Sequence, residues 1–225
     1  MTSIAIVGAG PHLGLAVARI FGSHGFDVAL ISRNREKLDG LVGTLTAEGI
    51  TAAAFPADVL DRDALTQALK DTATQFGRID VLEYSPAAAP DTAVMTTPTE
   101  TEPSDVQHQI ELQLYGAITA TKAVLPAMRE AGTGTLLFTT GARSLNPQPP
   151  TPNSDAAAAA LRNWAINLHK ELDGTGIQAA HIGIDATIGT PTFYGQPRVT
   201  ADQISPVHWE LHAAQRDQSE QIFRA

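Results

Sequence analysis

Close to its amino end the chain reads Gly8-Ala9-Gly10-Pro11-His12-Leu13-Gly14, set between a short apolar run and an apolar stretch of helical period. Glycines let a backbone turn sharply and approach a ligand. A helix starting at such a turn directs unpaired N–H groups and its positive dipole end outwards. The chemistry this suits is the holding of a pyrophosphate. A Gly-x-Gly-x-x-Gly turn would need glycine where Leu13 stands, so Gly14 closes a loop one residue longer. The same residues would also serve a turn that only packs a helix on a strand. The next apolar run ends Ile31-Ser32-Arg33-Asn34-Arg35. An acid at that end would hold ribose hydroxyls, but Asp27 lies at the opposite end. Arg33, with Ser32 and Asn34 beside it, instead offers a planar, permanently charged fork to a 2′-phosphate. Arg35 offers the same group, and both arginines also suit a solvated helix start.

The chain contains no cysteine, which excludes disulfides, thiol nucleophiles and thiolate metal sites. His108, His169, His181 and His208 are scattered. His208 and His212 stand four apart with Glu210 between them, a spacing found in zinc sites. A third ligand is not evident. A solvated helix face accounts for the pair, His208 alone being placed to reach a substrate cleft, and no metal is expected. Tyr84 ends an apolar run, where its phenol could donate to a substrate oxygen or fill the core beneath a cofactor.

Positioning these groups requires a regular alternation of elements. Apolar runs of strand length occur at Ser3–Val7, Asp27–Ile31, Thr51–Phe55, Ile79–Tyr84, Thr135–Thr139 and Gln178–Ile184. Segments of helical period lie at Leu13–Ser23, Glu36–Glu48, Asp61–Phe76, Ser104–Glu130, Asp155–Leu172 and Pro206–Ile222. Such alternation with right-handed crossovers predicts an α/β, Rossmann-like, doubly wound parallel sheet with helices on both faces. Six strands are expected, with no seventh after the last helix. Proline and threonine cluster at Pro86–Pro103, and prolines again at Pro147–Pro152. These are expected loops at strand carboxyl ends, where such folds place their sites.

Hydrophobic residues make up 43% of the 225 and charged residues 17%, the composition of a globular chain with one core. A net charge of −9 argues against a nucleic-acid or anionic-membrane partner. No stretch reaches the ~18 apolar residues of a membrane span. Met-Thr-Ser-Ile-Ala-Ile-Val-Gly enters a strand at once, so no signal peptide and a cytoplasmic protein are expected.

Taken in order, these segments resemble the short-chain dehydrogenase/reductase family over roughly residues 2–190. Gly8 to Gly14 is similar to its glycine motif, and Ala57-Asp58-Val59 to its adenine-contacting Asp-Val. Tyr84-Ser85-Pro86-Ala87 stands at its Asn-Asn-Ala-Gly. Leu137-Phe138-Thr139-Thr140 resembles the strand that ends in its catalytic hydroxyl. Asp185-Ala186-Thr187-Ile188-Gly189-Thr190 stands at its Pro-Gly-x-x-x-Thr. The resemblance implies a single dinucleotide-binding domain over 1–225, with 191–225 as the substrate-side segment. It implies a cofactor held by Gly8, Gly10, His12, Leu13, Gly14, Ser32, Arg33, Asn34, Asp58, Val59, Ser85, Pro86, Ile188 and Thr190. From Arg33, NADP(H) is expected in preference to NAD(H).

In this family a tyrosine exchanges the substrate proton, and a lysine four residues later lowers its pKa. Aligning Ala159-Ala160-Leu161-Arg162-Asn163 with that helix puts Ser154 at the tyrosine and Ala158 at the lysine. No tyrosine in the chain has lysine four residues on. Thr140 matches the substrate-orienting hydroxyl and Gln113 the asparagine. His12 replaces the middle glycine, where it would crowd a pyrophosphate or, protonated, help neutralise it. The expected catalytic set is therefore Thr140, Ser154, Gln113 and Tyr84, acting on a small carbonyl or alcohol. The alternative is a non-redox protein that binds a nucleotide or metabolite as sensor, partner subunit or scaffold. By analogy, helices Ser104–Glu130 and Asp155–Leu172 would pair subunits into a homodimer or homotetramer.

Overall fold

Strands buried on both faces run apolar, and Ser3–Val7, buried at every residue, is apolar from Ile4 to Val7. The computed structural model describes residues 2–87, 96–188, 197–214 and 218–225. Its first half alternates β1 (Ser3–Val7), α1 (Leu13–Ser23), β2 (Asp27–Ser32), α2 (Arg35–Ala47), β3 (Ala52–Pro56), α3 (Arg62–Phe76) and β4 (Val81–Tyr84). Then α4 (Pro103–Ile110) passes through a π-helical turn, Glu111–Tyr115, into α5 (Gly116–Ala131). There follow β5 (Gly134–Gly141), a 3-10 turn at Ala142–Ser144, α6 (Pro152–Glu171) and β6 (Ile177–Asp185). The chain continues with β7 (Thr187–Ile188), β8 (Arg198–Val199), α7 (Ala201–Ala213) and β9 (Glu220–Arg224).

Among the described residues seven strands form one sheet in the order β3-β2-β1-β4-β5-β6-β9, and every neighbouring pair is parallel. This is the expected doubly wound architecture. Winding outward from β1 to β3 and restarting at β4 leaves the loops after β1 and β4 on either side of a crevice. One core, with Ile6, Leu30 and Val81, lies between the sheet and α1, α2 and α7. The other, with Val7, Leu82 and Phe138, lies under α3, α5 and α6.

Two expectations need correction. The last helix ends at Ala213, and Glu220–Arg224 is a seventh strand, paired in register from His181↔Glu220 to Asp185↔Arg224. β9 is half-exposed along its length, the pattern of an edge strand rather than an apolar run. The long helix expected over Ser104–Glu130 is broken by the π turn. There the Tyr84 hydroxyl donates to the Leu112 carbonyl at 2.6 Å. Gly116, next in the chain, has no side chain because a Cβ there would collide with the Tyr84 oxygen.

Gly116→Ala is therefore expected to lower unfolding stability by about 1–3 kcal/mol, overpacking outweighing alanine's better helix propensity. In urea unfolding, Tyr84→Phe with Gly116→Ala should cost less than the sum of the single variants, because the clashing oxygen is gone.

Candidate functional site

The loops after β1 and β4 meet at a point only glycine allows. Gly8 has φ +93°, and a Cβ on it would lie 2.5 Å from Pro86 N. Gly8 and Ala9 N–H both donate to Ile31 O, at 2.9 and 3.1 Å, and Ser85 N–H donates to Val7 O at 2.9 Å. Gly14 lets α1 come down on the turn, since a Cβ there would sit 2.9 Å from Ala9 Cα. Gly10 faces open space, with nothing within 4 Å of where its Cβ would be. The first turn of α1 carries no acidic residue and no side-chain cap. An open glycine beside an uncapped, acid-free helix start fits a pyrophosphate.

Two clefts flank this turn. The first, of about 240 Å³, is lined by Gly8, Ser32, Arg33, Asn34, Lys37, Asp58, Val59, Pro86 and Ala87, with others. Asn34 is also the cap of α2, its side chain accepting from Lys37 N–H at 2.9 Å. Asp58 Oδ1 accepts from Leu60 N–H at 3.0 Å. Lys37 is a second cation in this cleft that the sequence reading did not single out. Arg35 instead forks onto Asp39, as a residue one turn away on an exposed helix face does.

The second cleft, of about 300 Å³, is lined by Leu13, Ser85, Pro86, Ala87, Gln109, Gln113, Thr139, Thr140, Thr151, Ser154 and others. It joins three of the four expected catalytic residues. Gln113, set in the π turn, donates from Nε2 to Ser154 Oγ at 3.2 Å. Next to Ser154, Asp155 accepts from Gln148 N–H and from the Thr151 hydroxyl, each at 3.2 Å. Burial nevertheless pushes its carboxyl up.

Tyr84 does not join them. It is fully buried, its hydroxyl is spent on Leu112, and burial raises its pKa. It is the core aromatic, not a proton donor to the cleft. His12 and Ile188 line a third depression with Arg19 and Arg198. Thr190 lies outside the described residues.

The threonines at the end of β5 point to opposite faces of the sheet, as successive strand residues must. On the α7 side, Thr139 Oγ1 donates to Glu83 Oε1 at 2.7 Å and lies 3.1 Å from His208 Nε2. His208 is fully buried, and His212 packs among Phe21, Phe26 and Trp209. Neither forms the solvated face expected of them. No cluster of three metal-ligating side chains occurs among the described residues.

On the α6 side, Thr140 Oγ1 lies 2.8 Å from His181 Nε2, and His181 Nδ1 lies 3.0 Å from Glu220 Oε1. Arg162 grips Glu220 with two bonds, Nε to Oε1 at 2.5 Å and a terminal nitrogen to Oε2 at 2.8 Å. Arg162 and His181 hold the Glu220 carboxyl below its ordinary range. Burial lowers His181, against an opposing pull from Glu220.

Residues 2–193 match the family model described as short chain dehydrogenase. The chain belongs to the short chain dehydrogenase family. A short chain dehydrogenase of Pseudocercospora fijiensis is 26% identical over 194 residues, which are 83% of this chain and 60% of that protein. This chain thus spans less than two thirds of that relative. A 3-oxoacyl-acyl-carrier-protein reductase of Synechocystis is 29% identical over 195 residues, covering 85% of this chain and 77% of the relative. Among solved structures, L-sorbose reductase of Gluconobacter frateurii, complexed with NADPH and L-sorbose, superposes with a TM-score of 0.87. It is 18% identical, over 99% of this chain and 95% of its own. A short-chain dehydrogenase from Rhodopseudomonas palustris gives 0.85 at 23% identity, over 100% and 98% of the two chains. At these identities the likeness shows the short chain dehydrogenase fold. Glu220 lies beyond the segment matched by the family model.

His181 sets a pH dependence. Its folded pKa lies below its ordinary 6.5, so the unfolded chain binds more protons in the interval between. This contribution to stability is whole above the unfolded value and is lost as pH falls through the interval. Glu220 acts the same way below its ordinary 4.5. Melting temperature, followed by circular dichroism, should fall as the solution is acidified below about pH 6.5, and His181→Gln should flatten that limb.

Proposed function

We propose that this member of the short chain dehydrogenase family is an NADP(H)-dependent oxidoreductase of an alcohol or carbonyl group. In this reading Ser154 and Ala158 stand where the family has its tyrosine and lysine. The observation that carries it is the shared wall of the two clefts. Pro86 and Ala87 line both, so one crevice has a cationic nucleotide side and a hydroxyl-rich side. A ligand with a phosphorylated half and a reactive half fits such a pair. Arg33 and Lys37 would hold a 2′-phosphate, and the Gly8–Gly14 turn the pyrophosphate. A bound nicotinamide supplies hydride exchange. Thr140 would orient the substrate oxygen, with Gln113 and Ser154 bonded to each other opposite it. Solved structures of this fold hold NADPH or NAD, and it is Arg33 that favours the phosphorylated nucleotide.

A non-redox reading is favoured by one observation. Neither the Ser154 hydroxyl nor the Ala158 methyl titrates near neutral pH, and Ala158 is buried at 5% exposure. Such a protein would hold the nucleotide without turning over. We also propose a homodimer or homotetramer and a cytoplasmic location; among the described residues no helix is long and apolar enough to cross a membrane.

Fluorescence titration should show NADPH binding more tightly than NADH. Arg33→Ala should weaken NADPH about tenfold, the measure of one lost charge-assisted contact, and leave NADH nearly unchanged. Absorbance at the nicotinamide band with a carbonyl panel then separates the readings, since binding without turnover supports the non-redox protein. Binding of neither nucleotide overturns the oxidoreductase reading.

A further inference from the structure

The row of polar groups across β5, β6 and β9 has no counterpart in the site as expected from the sequence. His181 is fully buried in the middle of a largely apolar strand, and a buried imidazole needs partners on both nitrogens. The sheet register provides them. Thr140 pairs with Gly183, two residues from His181 on the same face, and His181 pairs directly with Glu220. Gly183, without a side chain, leaves room for Ile222; a Cβ there would lie 2.6 Å from that residue's terminal carbon. Arg162, from the overlying α6, fixes both carboxylate oxygens of Glu220.

The proton positions follow from this arrangement. An ionised carboxylate only accepts, so Glu220 holds the hydrogen on His181 Nδ1. In the neutral ring Nε2 is then a lone pair, and it faces the Thr140 hydroxyl at 2.8 Å. That hydroxyl also lies 3.1 Å from the Gly141 carbonyl, within its own strand. Thr140 is thus a cleft-lining hydroxyl backed by an imidazole, which is oriented in turn by a carboxylate.

We propose that Thr140, His181 and Glu220 form the proton relay of this site, doing by hydroxyl and imidazole what Ser154 and Ala158 cannot. The inference rests on the oxidoreductase reading above. In alcohol oxidation the substrate O–H proton passes to Thr140 Oγ as the Thr140 proton passes to His181 Nε2. The hydride on the same carbon goes to an oxidised nicotinamide dinucleotide, and the carbon–oxygen double bond forms. The alcohol is oxidised, the dinucleotide is reduced, and His181 is left as imidazolium against Glu220. Carbonyl reduction reverses each transfer, with imidazolium as the acid. Thr140 is the group that touches substrate, His181 moves the proton, and Glu220 is a positioning residue. The charged groups facing the ring are Glu220 from β9 and Arg162 from α6.

The first test needs no cofactor. Ring-nitrogen NMR of the full chain should show His181 in the Nδ1–H tautomer. In Glu220→Gln the side-chain amide can donate to Nδ1, and the tautomer should change to Nε2–H. An Nε2–H tautomer in the unaltered protein overturns the relay. The second test uses turnover. Thr140→Val and His181→Gln should each lower kcat about a hundredfold or more, the scale of general acid–base catalysis, while Thr140→Ser retains activity. NADPH affinity should stay within about twofold in every variant, the relay making no contact with the phosphates. Oxidation by the unaltered protein should decline towards low pH as His181 protonates. Circular dichroism confirms that each variant is folded; should His181→Gln unfold, the Thr140 pair and Glu220→Gln decide. Turnover that survives Thr140→Val or Glu220→Gln overturns the relay alone. Nucleotide binding with no turnover on any alcohol or carbonyl of the panel also overturns it. Failure of both nucleotides to bind overturns the function reading, and the catalytic role of the relay with it.

Discussion

The approach of Gly8 to Pro86 is the constraint on which the remainder of the site rests. Two parallel strands that leave their sheet side by side would ordinarily hold their loops apart by the bulk of side chains. Here a residue without a Cβ, in a backbone conformation other residues resist, lets the β4 loop lie directly on the β1 turn. The crevice between β1 and β4 thereby becomes two clefts with one wall. One cleft collects Arg33 and Lys37 from the far side of β2, and the other collects hydroxyls from β5 and α6. Neither set lies near the other in sequence, and the fold brings them together only through that contact.

Chemistry at the hydroxyl cleft is arranged in depth. What faces the cleft is modest: a threonine, a serine and a glutamine. What stands behind it is ionisable, one carboxylate–imidazole pair on each face of the sheet: Glu83 with His208, both buried, and the buried His181 with the part-exposed Glu220. Both pairs are reached through a threonine, and both recruit a residue from the chain after β8, His208 from α7 and Glu220 from β9. The cationic cleft is built in the first half of the chain, by repeating strand–turn–helix units. The polar rows behind the hydroxyl cleft are completed by a segment outside those units.

The alternating architecture was legible because it depends on local patterns: apolar runs buried on both faces, helical stripes, and the turn residues between them. Ser3–Val7 and Leu13–Ser23 were bounded to the residue. β9 was not, because Glu-Gln-Ile-Phe-Arg has neither an apolar run nor much length, and Ile222 continues the helical spacing of Val207 and Leu211. It is a strand because β6 offers an open edge, which is a tertiary fact. The cleft residues Thr140, Ser154 and Gln113 were found through resemblance; nothing local marks them. Tyr84 was ambiguous at the level of sequence and was decided by a carbonyl 28 residues away, which the π turn presents to it. His181 did carry a signal, an ionisable ring inside an apolar strand, which demands partners. Their identity depended on a register that only the folded sheet defines.

The place of β9 in the chain also has a meaning for biosynthesis. A ribosome delivers residues in order, so the other six strands of the sheet and the glycine turn emerge before the strand that bears Glu220. A nascent chain can close the crevice between β1 and β4 while the imidazole inside β6 still lacks its carboxylate neighbour. The order in which the molecule is made thus separates, in time, the closing of the glycine turn from the completion of the polar row behind Thr140.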